Sequence, residues 1–177
     1  MKLRDAKIYQ PLYELAVQWS ELWGLRKLSD ELTFRTSSRF RRSLGSYCAR
    51  RNEITLADWL VEGPVALRDE VLCHEAAHAA VSLAFGRAPR PHGPEWRDFM
   101  TQAGFEPRVR VPFKELPESR QKLIAQSRSW EHRCPVCQAT RLARTRVTRW
   151  RCSRCRSAGR SGELVIERVP SPIAVDA

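Results

Sequence analysis

Two histidines and a glutamate stand close together in the run His74-Glu75-Ala76-Ala77-His78. In a helix, residues four apart lie one turn above each other, so both imidazoles can bind the same tetrahedral Zn²⁺. Glu75 is rotated by about 100° from His74, which lets its carboxylate reach a zinc-bound water without binding the ion. Zinc lowers the pKa of such a water from about 15.7 to about 7, and once Glu75 takes the proton the hydroxide can attack a peptide carbonyl. The motif therefore predicts peptide hydrolysis, with His74 and His78 as metal ligands and Glu75 as the general base.

A catalytic zinc site needs a third protein ligand and leaves its fourth position open. Two candidates follow the motif, His92 and Glu95. We favour His92, because the Gly93-Pro94 dipeptide behind it lets the chain turn back toward the first helix. Glu95 has an alternative role, a favourable interaction with the N-terminus of the next helix. His132 is the remaining candidate, although it stands beside a cysteine-rich segment.

That segment contains two C-x₂-C pairs separated by 14 residues. Such spacing predicts one structural zinc held by four thiolates, and zinc binding supplies folding energy that a short segment cannot obtain from a core. Iron in a rubredoxin-like site is an alternative, because both metals accept four thiolates. A redox-active disulfide pair is a less favoured alternative. The chain is thus expected to bind two zinc ions, one catalytic and one structural, the latter through Cys134, Cys137, Cys152 and Cys155.

Arginine is concentrated around these cysteines, and the whole chain has a formal net charge of +11. A basic surface favours a polyanion, because neutralising phosphates releases counterions. Tryptophan among arginines can also stack on an unpaired base, which suits single-stranded or frayed duplex DNA. The alternative is that the arginines are only solvated and the tryptophan packs the module. The predicted nucleic-acid contacts are Arg141, Arg144, Arg146, Arg149, Arg151, Arg154, Arg156 and Trp150.

The pattern of apolar residues predicts the elements that must position these side chains. Helical spacing over residues 12–23 predicts an amphipathic helix that ends at Gly24. Residues 32–35, 39–44 and 53–56 are expected to form two or three short antiparallel strands. The histidine motif falls within a long helix that opens at Gly63-Pro64 and ends at Gly86.

After a proline-rich turn, a second helix is predicted from Pro94 to Gly104. Residues 105–127 look like a connector with a short strand around 109–111. In the cysteine module, residues 147–150 and 164–166 are expected to be strands. Residues 170–177 are expected to be a disordered tail.

The sequence shows neither a secretory signal nor a run of about 20 apolar residues. Paired cysteines at metal-binding spacing are also typical of reducing compartments. We therefore expect a cytoplasmic protein with no membrane contact. The oligomeric state is not predicted.

Residues 37–96 resemble the SprT-like, or Spartan-type, metalloproteases. The similarity rests on Gly45, Ile54-Thr55-Leu56, the HEAAH helix and the run His92-Gly93-Pro94-Glu95-Trp96. It implies an α+β fold in which a minimal zincin-like core, made of helices and a small antiparallel sheet, spans residues 1–127 and is followed by a zinc ribbon over 128–169. It also implies a three-histidine zinc site that includes His92. In the best-understood relatives it further implies DNA-dependent cleavage of proteins crosslinked to DNA, which would associate a bacterial member with the nucleoid.

Two other functions remain open. Both zinc ions could be structural in a non-catalytic DNA-binding or transcription-associated factor. Alternatively, the substrate could be one specific protein partner, with the basic charge incidental.

Overall fold

The computed structural model describes residues 9–40, 43–86, 90–126 and 128–170. The chain divides into an N-terminal unit, Met1–Arg110, and a C-terminal unit, Val111–Ala177. Residues 111–127, which we expected to belong to the first domain, therefore group with the C-terminal unit. The functional domain limits of 1–127 and 128–169 stay a prediction.

The N-terminal unit begins with helices α1 (Gln10–Leu22) and α2 (Lys27–Glu31). Helix α1 ends where the sequence predicts, because Gly24 has a positive φ of 67° that glycine adopts without steric cost. The indole Nε1–H of Trp23, just after α1, donates to the carbonyl of Phe99 at 3.1 Å. This bond anchors the end of α1 to a helix much later in the chain.

Three short strands form one sheet: β1 (Thr33–Ser37), β2 (Gly45–Cys48) and β3 (Glu53–Ala57). Their order is β1-β3-β2; β2 pairs antiparallel with β3, whereas β1 pairs parallel with it. The predicted all-antiparallel sheet is therefore wrong for β1. The reason is that β2 and β3 form a hairpin, and the connection before β2 carries the chain from one edge of the sheet to the other.

The prediction of a strand over residues 39–44 is wrong, because the strand in this part of the chain is β2, which begins at Gly45. Residues 41 and 42 lie outside the described residues, and the others in that range are not in a strand. A short helix α3 (Asp58–Val61) follows β3. Strand β2 is thus an edge strand, and it packs against the helix that carries the histidines.

That helix, α4 (Val65–Phe85), runs through the core of the N-terminal unit. It starts after Pro64 and ends at Gly86, as predicted. Its buried positions include four alanines, whose small side chains let neighbouring elements approach closely. Helix α5 (Pro94–Gln102) packs against α4 and contributes the buried residues Trp96 and Met100.

The C-terminal unit opens with a 3₁₀ turn (Phe113–Glu115) and helix α6 (Glu118–Ala125). The predicted strand over residues 109–111 is wrong. Pro112 and Pro117 each precede one of these elements, where a missing N–H costs nothing, so they start helical turns in a segment that we read as a connector.

A second sheet contains β4 (Arg128–Arg133), β5 (Thr140–Ala143) and β6 (Val165–Pro170) in the antiparallel order β5-β4-β6. Helix α7 (Ser153–Ser157) lies between β5 and β6 in the sequence. The predicted strand over 164–166 is found in β6, but residues 147–150 form a turn and β4 and β5 were not predicted. The strands β4 and β5 are rich in arginine and short, so their alternation of apolar residues is weak.

No helix in the described part of the chain is long and apolar enough to cross a bilayer. Of the predicted disordered tail, Pro170 ends β6 and residues 171–177 lie outside the described residues. The architecture of both units is α+β, which confirms the predicted class.

Candidate metal centre

Helix α4 presents His74 and His78 side by side. Their ring centroids lie 5.1 Å apart, as expected for side chains one helical turn apart. Both residues are half-buried, whereas Ala76 and Ala77 between them are fully buried. The helix therefore turns its two imidazoles toward a partly open face.

The third imidazole comes from the turn between α4 and α5. The Nε2 atom of His92 lies 3.1 Å from Nε2 of His74 and 3.1 Å from Nε2 of His78. Ligand nitrogens around a tetrahedral zinc are separated by about 3.3 Å when each Zn–N bond is about 2.05 Å. The spacing of the three nitrogens therefore fits one shared ion.

Backbone geometry places the third imidazole. His92 has a positive φ of 58°, and the N–H of Gly93 donates to the carbonyl of Arg90 at 3.0 Å. A left-handed conformation is unfavourable for a residue with a Cβ, and such outliers are concentrated at functional sites. The left-handed conformation of His92 thus directs its side chain toward α4, at a cost in backbone strain.

Trp96 forms the floor of this cluster. Its ring centroid lies 4.7 Å from that of His74, 5.7 Å from that of His78 and 4.8 Å from that of His92. Its Nε1–H donates to the backbone carbonyl of His74 at 3.1 Å. The sequence indicates Trp96 as part of the resembling motif and of the apolar side of the second helix, but not as part of the metal centre. Its position, four residues after His92 on the first turn of a helix, is the signal that could have identified it.

His74 and His78 are in the protonation state that binds a metal. Burial, together with the neighbouring imidazoles, lowers the pKa of His74 and of His78 to about 4 each. Both rings are therefore neutral near pH 7. A neutral imidazole is the form that binds a metal, so no proton has to be displaced from these two residues.

Glu75 lies on the side of α4 that faces strand β2. Its side chain is buried, which raises the pKa of the carboxyl to about 7, while a hydrogen bond from the backbone of Tyr47 acts in the opposite direction. The sequence motif had placed Glu75 next to the metal ligands but gave no information about what holds the carboxylate. Strand β2 supplies that contact.

Gly45 in β2 is the residue that makes room for the carboxylate. A Cβ at this position would lie 2.9 Å from both Cγ and Oε1 of Glu75, and 3.0 Å from Cγ1 of Val71. Real side chains do not approach so closely in a packed interior. Glycine at position 45 is therefore needed for the observed position of Glu75.

His132, the remaining candidate ligand, has different surroundings. Both ring nitrogens of His132 are engaged: Nδ1 with the carbonyl of Trp130 at 3.2 Å, and Nε2 with the N–H of Val147 at 3.1 Å. His132 is thus not a metal ligand but a fully buried part of the second sheet. The Tyr47 hydroxyl donates to Oδ1 of Asn52 at 3.0 Å.

Neither Glu95 nor Cys73 joins the three histidines. Cys73 is fully buried, and burial raises the pKa of its thiol, so it packs as a small apolar residue. Among the described residues, no fourth histidine, cysteine or carboxylate belongs to the cluster.

The four cysteines of the C-terminal unit converge in the same way. Sγ of Cys134 lies 3.5 Å from Sγ of Cys155, and Sγ of Cys137 lies 3.4 Å from Sγ of Cys152. These close pairs join the two C-x₂-C segments to each other, as a shared ion requires. Sulfurs around a tetrahedral zinc are about 3.8 Å apart, given Zn–S bonds of about 2.3 Å. The donor set therefore fits a closed tetrahedral site.

Backbone groups favour a thiolate in this cluster. The N–H groups of Cys137 and Val136 lower the pKa of the Cys134 thiol, whereas burial raises that of Cys155. Gln138 has a positive φ of 58°, and its N–H donates to the carbonyl of Cys134 at 3.0 Å. The first knuckle is thus shaped by its own backbone to present its sulfurs.

The seven arginines predicted to contact nucleic acid are all exposed, and none forms an ion pair within the described residues. The guanidinium of Arg141 lies 3.8 Å from the centroid of the Trp150 ring, which also contacts His132 at a centroid distance of 4.8 Å. A base can therefore stack on the covered face of Trp150 only if Arg141 moves away.

Comparison with known proteins identifies the N-terminal part of the chain. The sequence model of the SprT-like family matches residues 12–120, a range that contains all three histidines and Glu75. The chain belongs to the SprT-like family. The match ends before the first cysteine of the C-terminal cluster.

Bacterial proteins named SprT are similar to this SprT-like chain. That of Cronobacter sakazakii is 35% identical over 113 residues, which cover 63% of this chain and 64% of that protein. That of Klebsiella pneumoniae strain 342 is 29% identical over 157 residues, covering 82% of this chain and 93% of that protein. The chain thus spans slightly less than two thirds of the Cronobacter protein. Family membership and the histidine cluster together support a metalloprotease-type or zinc-binding function.

The left-handed turn allows a clean test of the third ligand. Asparagine tolerates a positive φ, so His92→Asn should preserve the turn while removing the imidazole, whereas His92→Ala should also add backbone strain of about 1 kcal/mol. We expect both variants to lose metal from the N-terminal unit only, and His92→Asn to be the more stable of the two. Metal analysis after chelator dialysis and thermal denaturation measure these effects. Full retention of both metals by His92→Asn would show that His92 is not a ligand.

Proposed function

We propose that this SprT-like chain is a zinc-dependent metallopeptidase that hydrolyses peptide bonds in nucleic-acid-associated proteins. The observation that carries the proposal is the convergence of three imidazole nitrogens beside the buried carboxylate of Glu75. The same proposal assigns a minimal zincin-like fold to the N-terminal unit. It assigns a zinc-ribbon fold to the C-terminal unit.

His74, His78 and His92 would hold the catalytic zinc. When bound, the ion polarises a substrate carbonyl and increases the acidity of a water molecule. Glu75 accepts the proton from the attacking water and then passes it to the leaving nitrogen of the peptide. Gly45 and the Tyr47 backbone keep that carboxylate in place, so it does not have to be ordered at each turnover.

The difference between the two clusters supports a catalytic role for the first. A structural zinc takes four protein ligands, whereas a catalytic zinc keeps one position for water or substrate. The four cysteines are the complete set of a structural site. The three histidines are half-buried and have no fourth partner among the described residues, which favours access from solvent.

DNA is the partner proposed for the C-terminal unit. Nine arginines and no acidic residue lie between Glu131 and Glu163. Arg133 pairs with Glu131 and Glu167, whereas the charge of the other eight favours phosphates. The guanidinium of exposed Arg141 lies 3.8 Å from the centre of the Trp150 ring, which limits its freedom. Single-stranded or frayed duplex DNA is the proposed form, and proteins crosslinked to DNA are the proposed substrate class. Action in the cytoplasm near the nucleoid belongs to the same proposal.

Glu75→Gln tests the peptidase directly. The amide has nearly the same size but cannot accept a proton, so turnover should fall by about 10²–10⁴-fold while the metal content stays unchanged. Cleavage of casein and of histone by the zinc-loaded protein, with and without single-stranded DNA, measures the rate. Equal, undetectable turnover in the variant and the wild type would favour the non-catalytic zinc protein instead, whereas equal and detectable turnover would refute Glu75 as the base.

Gly45→Ala tests whether the position of Glu75 matters as well as its charge. The added methyl should displace the carboxylate and reduce kcat by roughly 100-fold, with little change in metal content. Ser46→Ala, at an exposed position of the same strand, is the matched control and should behave like wild type.

The double variant Gly45→Ala/Glu75→Gln should be no slower than Glu75→Gln alone, because both changes act on the same group. A Gly45→Ala protein with a normal rate would refute the positioning role of β2. Additive losses in the double variant would do so too.

DNA binding is tested by its dependence on salt. For single strands, the logarithm of the affinity should fall with the logarithm of salt concentration by about 0.7 per phosphate contact. Arg141→Ala should lower that slope by about one contact, whereas Arg50→Ala, an exposed arginine of the N-terminal unit, should leave it unchanged. Fluorescence anisotropy with a labelled oligonucleotide measures both. Absent or salt-independent binding would favour a specific protein partner.

A further inference from the structure

The three imidazole rings of the cluster present the same atom to one point. Nε2 of His92 lies 3.1 Å from Nε2 of His74 and 3.1 Å from Nε2 of His78. One ion can bind all three rings only if each is turned so that this nitrogen faces the centre. The χ2 torsion of histidine is broad and roughly two-fold, so rotamer preference alone does not select that orientation. Neighbouring side chains have to select it.

The indole of Trp96 packs against each of the three rings. It is nearly perpendicular to the ring of His92, at 88°, and inclined by 67° to that of His74. The ring of His78 is closer to parallel with it, at 29°. Edge-to-face and offset-stacked contacts are the favoured arrangements of aromatic pairs. Trp96 is only 1% exposed, so rotation of any of the three rings would disrupt a contact with a side chain that is itself held in the core.

A hydrogen bond fixes this indole to the helix that carries two of the rings. The Nε1–H of Trp96 donates to the carbonyl of His74 at 3.1 Å. In an α-helix the same carbonyl accepts the N–H of the residue four positions later, which here is His78. The bond therefore joins Trp96 to α4 at the turn between the two helix ligands. Trp96 stands in the first turn of α5, four residues after His92, so one side chain connects the third ligand to the other two.

We propose that Trp96 is a positioning residue for the metal centre, whose indole sets the orientation of all three imidazole rings before an ion binds. The inference rests on the metal site of the proposed function, not on peptidase activity. Without the indole the rings are free to rotate, and an ion then has to restrict them at a cost in entropy. Neighbours that orient metal-binding histidines commonly change metal affinity by about 10–100-fold when they are replaced.

Trp23 provides a matched control from the same unit. Its indole is also buried, and its Nε1–H donates at 3.1 Å to the carbonyl of Phe99 in α5. Its ring packs against Trp19 and Phe99. Trp23→Phe thus removes a comparable hydrogen bond and a comparable volume from the core. It weakens the attachment of the same helix, α5, through a contact outside the histidine cluster.

Zinc affinity of the full chain is the first readout. Trp96→Phe keeps an aromatic ring but removes the N–H and part of the packing surface. We expect it to weaken the histidine site by about 10–100-fold and to leave the four-cysteine site unchanged. Trp23→Phe should lower the melting temperature but bind zinc like wild type at both sites. Competition with a chromophoric chelator measures the two affinities, and cadmium NMR assigns them to nitrogen or sulfur ligands.

Ring orientation in the wild-type protein is the second readout. Nuclear Overhauser contacts between the indole protons of Trp96 and the protons of the three imidazole rings report it directly. We expect the same contacts with the histidine site empty and with it filled by zinc, because the indole orients the rings before the ion binds. Contacts that arise only with zinc would show that the ion orders the rings, and would overturn the proposal. This measurement decides the question alone if Trp96→Phe does not fold.

Unchanged zinc affinity at the histidine site of Trp96→Phe would also overturn the proposal. An equal loss in Trp23→Phe, or a parallel loss at the cysteine site, would do so too, because either would indicate a general loosening of the fold. None of these measurements uses a substrate. A chain that follows the predicted affinities but cleaves nothing would support this inference while refuting the proposed peptidase.

Discussion

Three imidazole nitrogens that meet at one point constrain most of the N-terminal unit. Lone pairs only 3.1 Å apart repel each other unless a cation or a proton lies between them. Burial lowers the pKa of His74 and His78 to about 4, so both rings are neutral near pH 7. The one N–H of a neutral ring can bridge only a single pair of nitrogens, whereas a metal ion accepts all three lone pairs at once. The elements around it maintain a geometry that the protein alone would not favour.

Each surrounding element contributes one part of that support. Helix α4 supplies two rings at a fixed spacing, and the left-handed turn at His92 supplies the third. Trp96 packs beneath all three rings and bonds the backbone of α4. Strand β2 approaches from the other side and fits against Glu75 through Gly45. Helix α4 also buries four alanines, whose small side chains let neighbouring elements approach closely.

The C-terminal unit has a candidate metal site of a different kind. Its buried apolar cluster consists mainly of the cysteines themselves, with Leu164 packed against them. So little apolar surface provides little folding energy, and an ion bound by four thiolates can supply the remainder. His132 contributes by bonding the turn around Val147 to strand β4. Arginines occupy much of the exposed surface of the unit, where their long side chains are solvated.

The sequence by itself indicated both sets of candidate metal ligands, because ligand type and spacing are local properties. An i, i+4 pair on a helix must share a face, and the C-x₂-C pairs carry their own knuckle geometry. It also determined α1, α4 and α5, whose lengths and glycine or proline boundaries are strong signals. Strand direction, the helix α6 and the role of His132 were decided by the tertiary structure. They depend on which edge of a sheet the chain reaches and on partners far away in sequence. Gly45 and Trp96 belong with these, since close approach and packing exist only after distant segments have met.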